Sequence, residues 1–260
     1  MFKGLNTALI TPFHNNQIDE DALKKLIDFQ VAGGVDSIVV CGTTGESPTL
    51  SNEEHRKLIT LAVEYANKRT KVVAGTGSNC TKEAVDMTQF ARDAGADGCL
   101  IVAPYYNKPT ANGILKHFQK LNECKIPLII YNIPGRSIID ISDDTIAQLA
   151  LLDNVVAVKD ATGDLSRIAS LKSKITKDFC YLSGEDETTV GFNAMGGDGI
   201  ISVTSNILPK MCKELQNYCD NDNYIEARKC QDQLLEVNKS MFCETNPIPV
   251  KYAAYLLGLC

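Results

Sequence analysis

The 260-residue sequence contains few histidines, and its cysteines show no metal-binding spacing. The three histidines, His14, His55 and His117, stand too far apart along the chain to form a ligand pair. The ten cysteines are scattered without any Cys-x-x-Cys pair, so we expect free and mostly buried thiols in a reducing compartment. The sequence therefore predicts neither a metal site nor a disulfide framework.

Long apolar runs and long basic blocks are also missing. No apolar run approaches the ~20 residues that a membrane-spanning helix needs. The N-terminal segment lacks the basic region, apolar core and cleavage site of a signal peptide. The net charge of -6 and the pI near 5.2 argue against a nucleic-acid partner. We expect a cytoplasmic protein with no membrane contact.

Eight short runs of apolar, mostly β-branched residues recur along the chain, separated by segments of helical periodicity. The runs cover residues 5–10, 37–40, 71–74, 99–102, 127–131, 155–158, 179–182 and 200–203. This alternation predicts an α/β fold with a parallel sheet, and closing eight strands gives a (β/α)8 TIM barrel. An open doubly wound sheet is the alternative. We predict a barrel over residues 1–220 and a C-terminal helical appendage over 221–260, with helices at 221–241 and 250–257.

Local signals mark several helix ends. Ser51 and Glu54 have the spacing of a capping box at a helix start. Gly34, Gly95 and Gly197 each stand just before a predicted strand, where we expect the left-handed backbone that ends a helix.

Polar residues follow the carboxyl ends of the predicted strands, which is where active sites of this fold lie. These segments are 11–13, 42–46, 75–79, 104–107, 131–136, Lys159, 183–185 and Ser202. Hydroxyls, one lysine and one arginine are therefore expected to converge on a single barrel mouth.

Lys159 directly follows the apolar run Val155-Val156-Ala157-Val158. One interpretation is a lysine at a strand tip with its ammonium group in water or paired with a carboxylate. The other is a desolvated amine, because burial penalises the ammonium form and favours the nucleophilic neutral amine. Such an amine forms a Schiff base with a ketone, and the resulting enamine attacks an aldehyde.

This chemistry needs a proton shuttle and no cofactor. Tyr131 and Tyr106 are candidates that exchange protons through Thr43, although an aromatic at a strand end is commonly a packing residue. The 42–46 loop is either a plain helix-start loop or a small-carboxylate site, and it lacks the lysine of a phosphate loop. Gly75-Thr76-Gly77 lacks the later glycine of a dinucleotide fingerprint. Arg136, after a Pro-Gly turn, is either a surface residue or a carboxylate ligand.

Five motifs in order carry a family resemblance: GTTGESPTL at 42–50, APYYNKP at 103–109, YNIPGR at 131–136, VVAVKDATGD at 155–164 and GGDGIISV at 196–203. Together they resemble the 4-hydroxy-tetrahydrodipicolinate synthase (dihydrodipicolinate synthase) family, within the pyruvate-dependent aldolase superfamily. The resemblance extends from Asn6 to Lys251. It implies a homo-oligomeric barrel, a tetramer or dimer, that condenses pyruvate with aspartate 4-semialdehyde in lysine and diaminopimelate synthesis.

The resemblance also implies a role for each site residue. Lys159 matches the Schiff-base lysine and Tyr131 the proton-relay tyrosine, while Thr43 and Tyr106 match the other relay members. Tyr106 is expected to reach the neighbouring subunit's site. The matching substrate contacts are Thr44 and the Ile201 backbone for pyruvate, Arg136 for the semialdehyde carboxylate, and Gly184 for a nearby main-chain contact.

Lysine inhibition is a further hypothesis from the resemblance. The matching positions of the lysine site at the dimer interface are Ser47, His55, Asn79, Glu83 and Tyr105. Asn52 departs from the family pattern, which commonly has histidine there. The family also usually continues through one more helix, so we expect a shorter appendage here.

Two other functions are alternatives. One is a pyruvate-dependent aldolase or lyase that uses the same lysine on sialic acid or a deoxy keto acid, although such enzymes resemble this chain less at Asn132-Ile133-Pro134-Gly135-Arg136. The other is a non-catalytic barrel that binds a small carboxylate.

Overall fold

The computed structural model describes residues 2–260. Its strands are β1 (Gly4–Ala8), β2 (Phe13–His14), β3 (Gln17–Ile18), β4 (Ser37–Val40), β5 (Lys71–Gly75), β6 (Gly98–Val102), β7 (Leu128–Asn132), β8 (Val155–Asp160), β9 (Cys180–Ser183) and β10 (Gly199–Ser202). Its α-helices are α1 (Glu20–Gly33), α2 (Asn52–Ala66), α3 (Thr81–Asp93), α4 (Ala111–Asn122), α5 (Pro134–Ser137), α6 (Asp143–Ala150), α7 (Ser166–Lys174), α8 (Thr189–Ala194), α9 (Pro209–Asp220), α10 (Tyr224–Ser240) and α11 (Ile248–Leu256).

Eight of these strands form a closed parallel barrel, which confirms the predicted (β/α)8 fold. The order around the ring is β1, β10, β9, β8, β7, β6, β5, β4, and β4 pairs with β1 to close it. This closure rules out the open doubly wound sheet. The strands match the predicted runs within a few residues, because a strand buried on both faces is mostly apolar.

The core has two layers. Alternate residues of each barrel strand point inward, and these form one buried cluster that contains Tyr131 and Ile201. The other alternate residues pack against the helices in a larger cluster. The described residues 2–260 contain no helix long and apolar enough to cross a membrane.

Three aspartates tie the amino ends of the barrel strands together. Asp36, Asp97 and Asp198 each accept a backbone N–H of a neighbouring strand residue at 2.8–3.0 Å and donate their own N–H back to the same residue's carbonyl. The three strand residues are Leu5, Val72 and Tyr181. These reciprocal hydrogen bonds stabilise the amino-terminal end of the barrel. Active sites of this fold lie at the opposite end, where the strands have their carboxyl ends.

The predicted helix ends are confirmed with one exception. Ser51 and Glu54 form the expected capping box, and Gly34 and Gly95 have left-handed φ angles of 79° and 94°. The prediction for Gly197 was wrong, because Gly196 adopts the left-handed conformation instead, with a φ of 96°. Gly197 serves close packing, since a Cβ there would lie 2.2 Å from the Phe192 ring.

The sequence analysis missed the hairpin of β2 and β3, whose signal is the Asn15-Asn16 pair. Both residues have positive φ, as a tight hairpin turn requires. The two predicted C-terminal helices correspond to α10 and α11. The domain division at residue 220 coincides with the end of α9 and stays a prediction.

Candidate active site

Lys159 and Tyr131 lie side by side at the barrel mouth. They are register partners on β8 and β7, and both side chains are buried, Lys159 being only 6% exposed. The Lys159 Nζ atom lies 4.1 Å from the centroid of the Tyr131 ring. The burial of Lys159 contradicts the interpretation that places its ammonium group in water, whereas pairing with a carboxylate stays open. The two side chains point the same way because register partners on adjacent parallel strands do so.

Two acidic residues lie near Lys159: Glu185, from the predicted 183–185 segment, and Asp186, which the sequence analysis missed. Burial raises the pKa of Glu185 and of Asp186, and the positive charge of Lys159 opposes both shifts. Asp186 accepts hydrogen bonds from the Ser202 hydroxyl at 2.5 Å and from the Val203 N–H at 2.8 Å, so it holds the chain that follows β10. The Ser-Gly-Glu-Asp sequence at 183–186 was the available signal.

The 42–46 loop is held in place by its neighbours. It follows Cys41, which has an unusual left-handed φ of 54° for a residue with a side chain. The Thr11 hydroxyl donates to the Gly45 carbonyl at 2.7 Å. At Gly75, a Cβ would lie 2.1 Å from the Cys41 carbonyl oxygen, so only glycine permits this approach. Thr43 and Thr44 are therefore presented by a loop that three strand ends constrain.

Asn246, from the C-terminal appendage, joins the two predicted substrate-binding residues. Its Nδ2 donates to the Thr44 hydroxyl oxygen at 3.0 Å, and its backbone carbonyl accepts from Arg136 Nη2 at 2.8 Å. Nearby, Lys251 Nζ pairs with Glu46 Oε1 at 2.5 Å. The sequence analysis used this segment only as the end of the resemblance, because nothing in its local pattern indicates that it folds back over the barrel mouth.

A cavity of about 480 Å³ extends outward from the mouth. Thr43 and Arg136 line it together with Ser47, His55, Glu83 and Tyr105, four of the five residues of the lysine hypothesis. Asn52 also lines it, whereas Asn79 is absent from the lining and accepts a hydrogen bond from Asn107 through its carbonyl. Burial lowers the pKa of His55, whose Nε2 lies 2.8 Å from the Gly75 carbonyl oxygen.

The remaining predicted residues lie in three different settings. Ile201 is buried inside the barrel, and the Gly184 N–H donates to the Asp160 carbonyl at 2.6 Å. Tyr106 is 85% exposed and has a φ of 70°, whereas Lys159 and Tyr131 are buried. Among residues 2–260, no group of three or more His, Cys, Asp or Glu side chains is arranged to hold a metal ion.

Comparison with known proteins identifies the family. The family model described as the dihydrodipicolinate synthetase family matches residues 1–260. The chain belongs to this family. A 4-hydroxy-tetrahydrodipicolinate synthase of Pelagibacter ubique is 54% identical over 264 residues, a match that covers 100% of this chain and 90% of the relative.

Solved structures of the family superpose closely on the chain. The crystal structure of dihydrodipicolinate synthase from Aquifex aeolicus has a TM-score of 0.98 and 47% identity, covering 100% of this chain and 89% of that one. A lysine-bound structure of the enzyme from Cyanidioschyzon merolae has a TM-score of 0.96 and 35% identity, covering 99% of this chain and 89% of that one.

Proposed function

We propose that this protein condenses pyruvate with L-aspartate 4-semialdehyde through a Schiff base on Lys159, giving 4-hydroxy-tetrahydrodipicolinate for lysine and diaminopimelate synthesis. The observation that carries the proposal is the buried Lys159 amine, 4.1 Å from the Tyr131 ring centroid, in a chain that belongs to the dihydrodipicolinate synthetase family. Family membership also favours this lyase over the sialic-acid enzymes and over a non-catalytic carboxylate binder.

Each chemical step then has a residue. Lys159 gives up a proton, the free amine attacks the keto carbon of pyruvate, and loss of water gives a protonated imine. Loss of a proton from the pyruvate methyl group gives an enamine, whose carbon attacks the aldehyde of the second substrate. Tyr131 exchanges these protons with Thr43 and with Tyr106 of a second subunit. The amino group of the semialdehyde finally replaces Lys159 and closes the ring.

The carboxylates of the two substrates bind at separate places. The Thr44 hydroxyl and the backbone around Ile201 take the pyruvate carboxylate. Arg136 takes the semialdehyde carboxylate, because the Asn246 carbonyl holds one of its nitrogens and leaves other N–H groups for the substrate. Gly184 supplies a main-chain contact near the semialdehyde carboxylate.

The exposed Tyr106 supports a homo-oligomer, a dimer or a tetramer. Tyr106 is 85% exposed, and its left-handed backbone conformation costs free energy that no contact of the isolated chain explains. Insertion of the Tyr106 side chain into a partner's active site would explain both features.

Lysine is the proposed inhibitor. Ser47, His55, Glu83 and Tyr105 line one cavity with Thr43, so an amino acid bound there lies beside the proton relay. Asn79 does not line this cavity, and its carbonyl accepts a hydrogen bond from Asn107. Activity that is unchanged by millimolar lysine would refute this part of the proposal.

Borohydride trapping tests the Schiff base. The protein is reduced in the presence of pyruvate and digested, and the peptides are analysed by mass spectrometry. We expect one pyruvate adduct, on Lys159, and none in Lys159→Ala. Lys177 is the matched control, because its amine is also partly buried but lies far from the mouth, bound to the Leu152 and Val155 carbonyls. An adduct on another lysine would refute the assignment.

Arg136→Ala tests the second substrate's subsite. The variant should form the Lys159 adduct at about the wild-type rate, while kcat/KM for the semialdehyde falls by about 100-fold or more, since a two-point contact to a carboxylate is lost. Steady-state kinetics with each substrate varied in turn measure both quantities. Equal damage to adduct formation and semialdehyde use would contradict the assignment.

A further inference from the structure

An ion network with a buried centre and an exposed outer carboxylate, Asp140, lies directly behind the two reactive side chains. Tyr131 is followed by Asn132 and Lys159 by Asp160, and these residues are also register partners between β7 and β8. Because side chains alternate along a strand, Asn132 and Asp160 point away from the interior that contains Tyr131 and Lys159. Both are buried, with Asp160 only 7% exposed.

Arg167 of α7 is the centre of this network and is itself only 8% exposed. Its Nη1 lies 2.6 Å from Asp140 Oδ1, its Nη2 lies 2.9 Å from Asp143 Oδ1, and its Nε lies 3.3 Å from Asp160 Oδ2. Nη2 also donates to the Ile141 carbonyl at 2.5 Å. One guanidinium thus contacts three carboxylates and a backbone carbonyl.

Asn132 connects the network to the other strand. Its Nδ2 donates to Asp140 Oδ1 at 2.8 Å, the same oxygen that Arg167 contacts, and its Oδ1 accepts the Ile141 N–H at 3.0 Å. The strand end that carries Tyr131 is therefore tied through Asp140 and Arg167 to the strand end that carries Lys159. The strand ends that carry Tyr131 and Lys159 are thus joined twice: by the pairing of β7 with β8, and by this side-chain network on the outer face of the barrel wall.

We infer that Arg167 is a positioning residue that sets the Lys159 amine against the Tyr131 ring; the inference rests on the proposed function. Loss of the guanidinium leaves the Asp160 carboxylate buried without its counter-charge, one residue from Lys159. Lysine in place of Arg167 keeps the charge, but its single ammonium group cannot span all four contacts. Reaction rates depend steeply on the relative positions of the reacting groups, here the Lys159 amine, the Tyr131 side chain and the bound pyruvate.

The test compares Arg167→Lys, Asp160→Asn and the double variant with the wild-type protein. The control is Ile146→Val, which removes one buried methyl group from α6, the helix packed on α7, without touching the network. The measurements are the thermal midpoint, kcat and KM for pyruvate on folded protein, and the rate of borohydride-trapped adduct formation.

We expect Arg167→Lys to lower kcat about tenfold or more with KM for pyruvate changed by less than about twofold, because placement rather than binding is lost. The rate of borohydride-trapped adduct formation should fall by the same factor as kcat. Asp160→Asn should act in the same direction, and the double variant should be no worse than the poorer single variant, as expected for residues of one network. Ile146→Val should keep the wild-type kcat.

Three outcomes would overturn the inference: a wild-type kcat in Arg167→Lys, additive losses in the double variant, or the same loss in Ile146→Val at equal folded fraction. If Arg167→Lys does not fold, Asp160→Asn decides by the same criteria. A wild-type adduct that lies elsewhere than Lys159 refutes the proposed function instead, whereas a Lys159 adduct with unaffected network variants refutes only the role of Arg167.

Discussion

At the scale of single residues, the site depends on what holds each of its polar side chains in place. Lys159 is surrounded by an aromatic ring and a barrel wall, and Arg136 and Thr44 are both held by Asn246. Because the Asn246 amide donates to the Thr44 oxygen, the Thr44 hydroxyl hydrogen is left to point at a substrate carboxylate.

Asn246→Asp tests this arrangement. The carboxylate replaces the amide donor, takes the Thr44 hydroxyl hydrogen for itself and places a negative charge beside the pyruvate carboxylate. We expect KM for pyruvate to rise about tenfold or more, with a smaller change in kcat, because like charges close together cost several kcal/mol. Initial-rate kinetics measure both. An unchanged KM in a folded variant would show that Asn246 does not orient Thr44.

At the scale of elements, the contact between α3 and α4 contains a buried histidine outside the site. His117 of α4 is 3% exposed, and its Nδ1 lies 2.9 Å from the Thr81 hydroxyl of α3. Its Nε2 has no hydrogen-bond partner among the described residues. Burial lowers the pKa of His117 from 6.5 to about 4. The helix contact therefore favours the neutral ring.

This contact should make stability depend on pH. Between pH 6.5 and about 4 the unfolded chain binds a proton at His117 and the folded chain does not, so the free energy of unfolding falls as the pH falls through this window. The full effect corresponds to about 3 kcal/mol. Denaturant unfolding of the wild type and of His117→Gln at pH 7, 5.5 and 4 measures it. We expect the wild type to lose more stability than the variant, and parallel profiles would contradict the assignment.

At the scale of the whole molecule, the proposed homo-oligomer rests on Tyr106, the one member of the proposed proton relay that is exposed in a single chain. Lys159, Tyr131 and Thr43 come from the same chain, whereas Tyr106 stands exposed on the surface. If Tyr106 serves the neighbouring subunit, the catalytic unit is a dimer or a larger oligomer.

Mixing two inactive variants tests this exchange. In a mixed dimer of Lys159→Ala and Tyr106→Phe, one site contains both altered residues and the other contains neither. Equal, freely exchanging amounts should therefore recover about a quarter of the wild-type activity, since half of the dimers are mixed and each has one intact site. Activity is measured before and after subunit exchange, with sedimentation velocity to confirm the assembly. No recovery despite exchange would mean that Tyr106 acts within its own chain or not at all.

Much of the fold was predictable because its signals are local. Eight apolar runs identified the barrel strands to within a few residues, and Ser51 with Glu54 marked a helix start. Lys159 stood out for the same reason, as a charge next to four apolar residues. The Asn15-Asn16 hairpin and Gly196 were missed, because neighbouring candidates in the sequence have nearly equal turn propensity.

The sequence by itself determined the barrel, the lysine at its mouth and the family, since strand periodicity and ordered motifs are properties of contiguous residues. Only the tertiary structure decided which distant residues support that lysine. Asn246 reaches Thr44 across 202 positions, and Arg167 reaches Asp140 across 27. Such contacts form only when the ring closes and its helices pack, because a hydrogen bond or ion pair depends on distance in space and leaves no periodic trace in the chain.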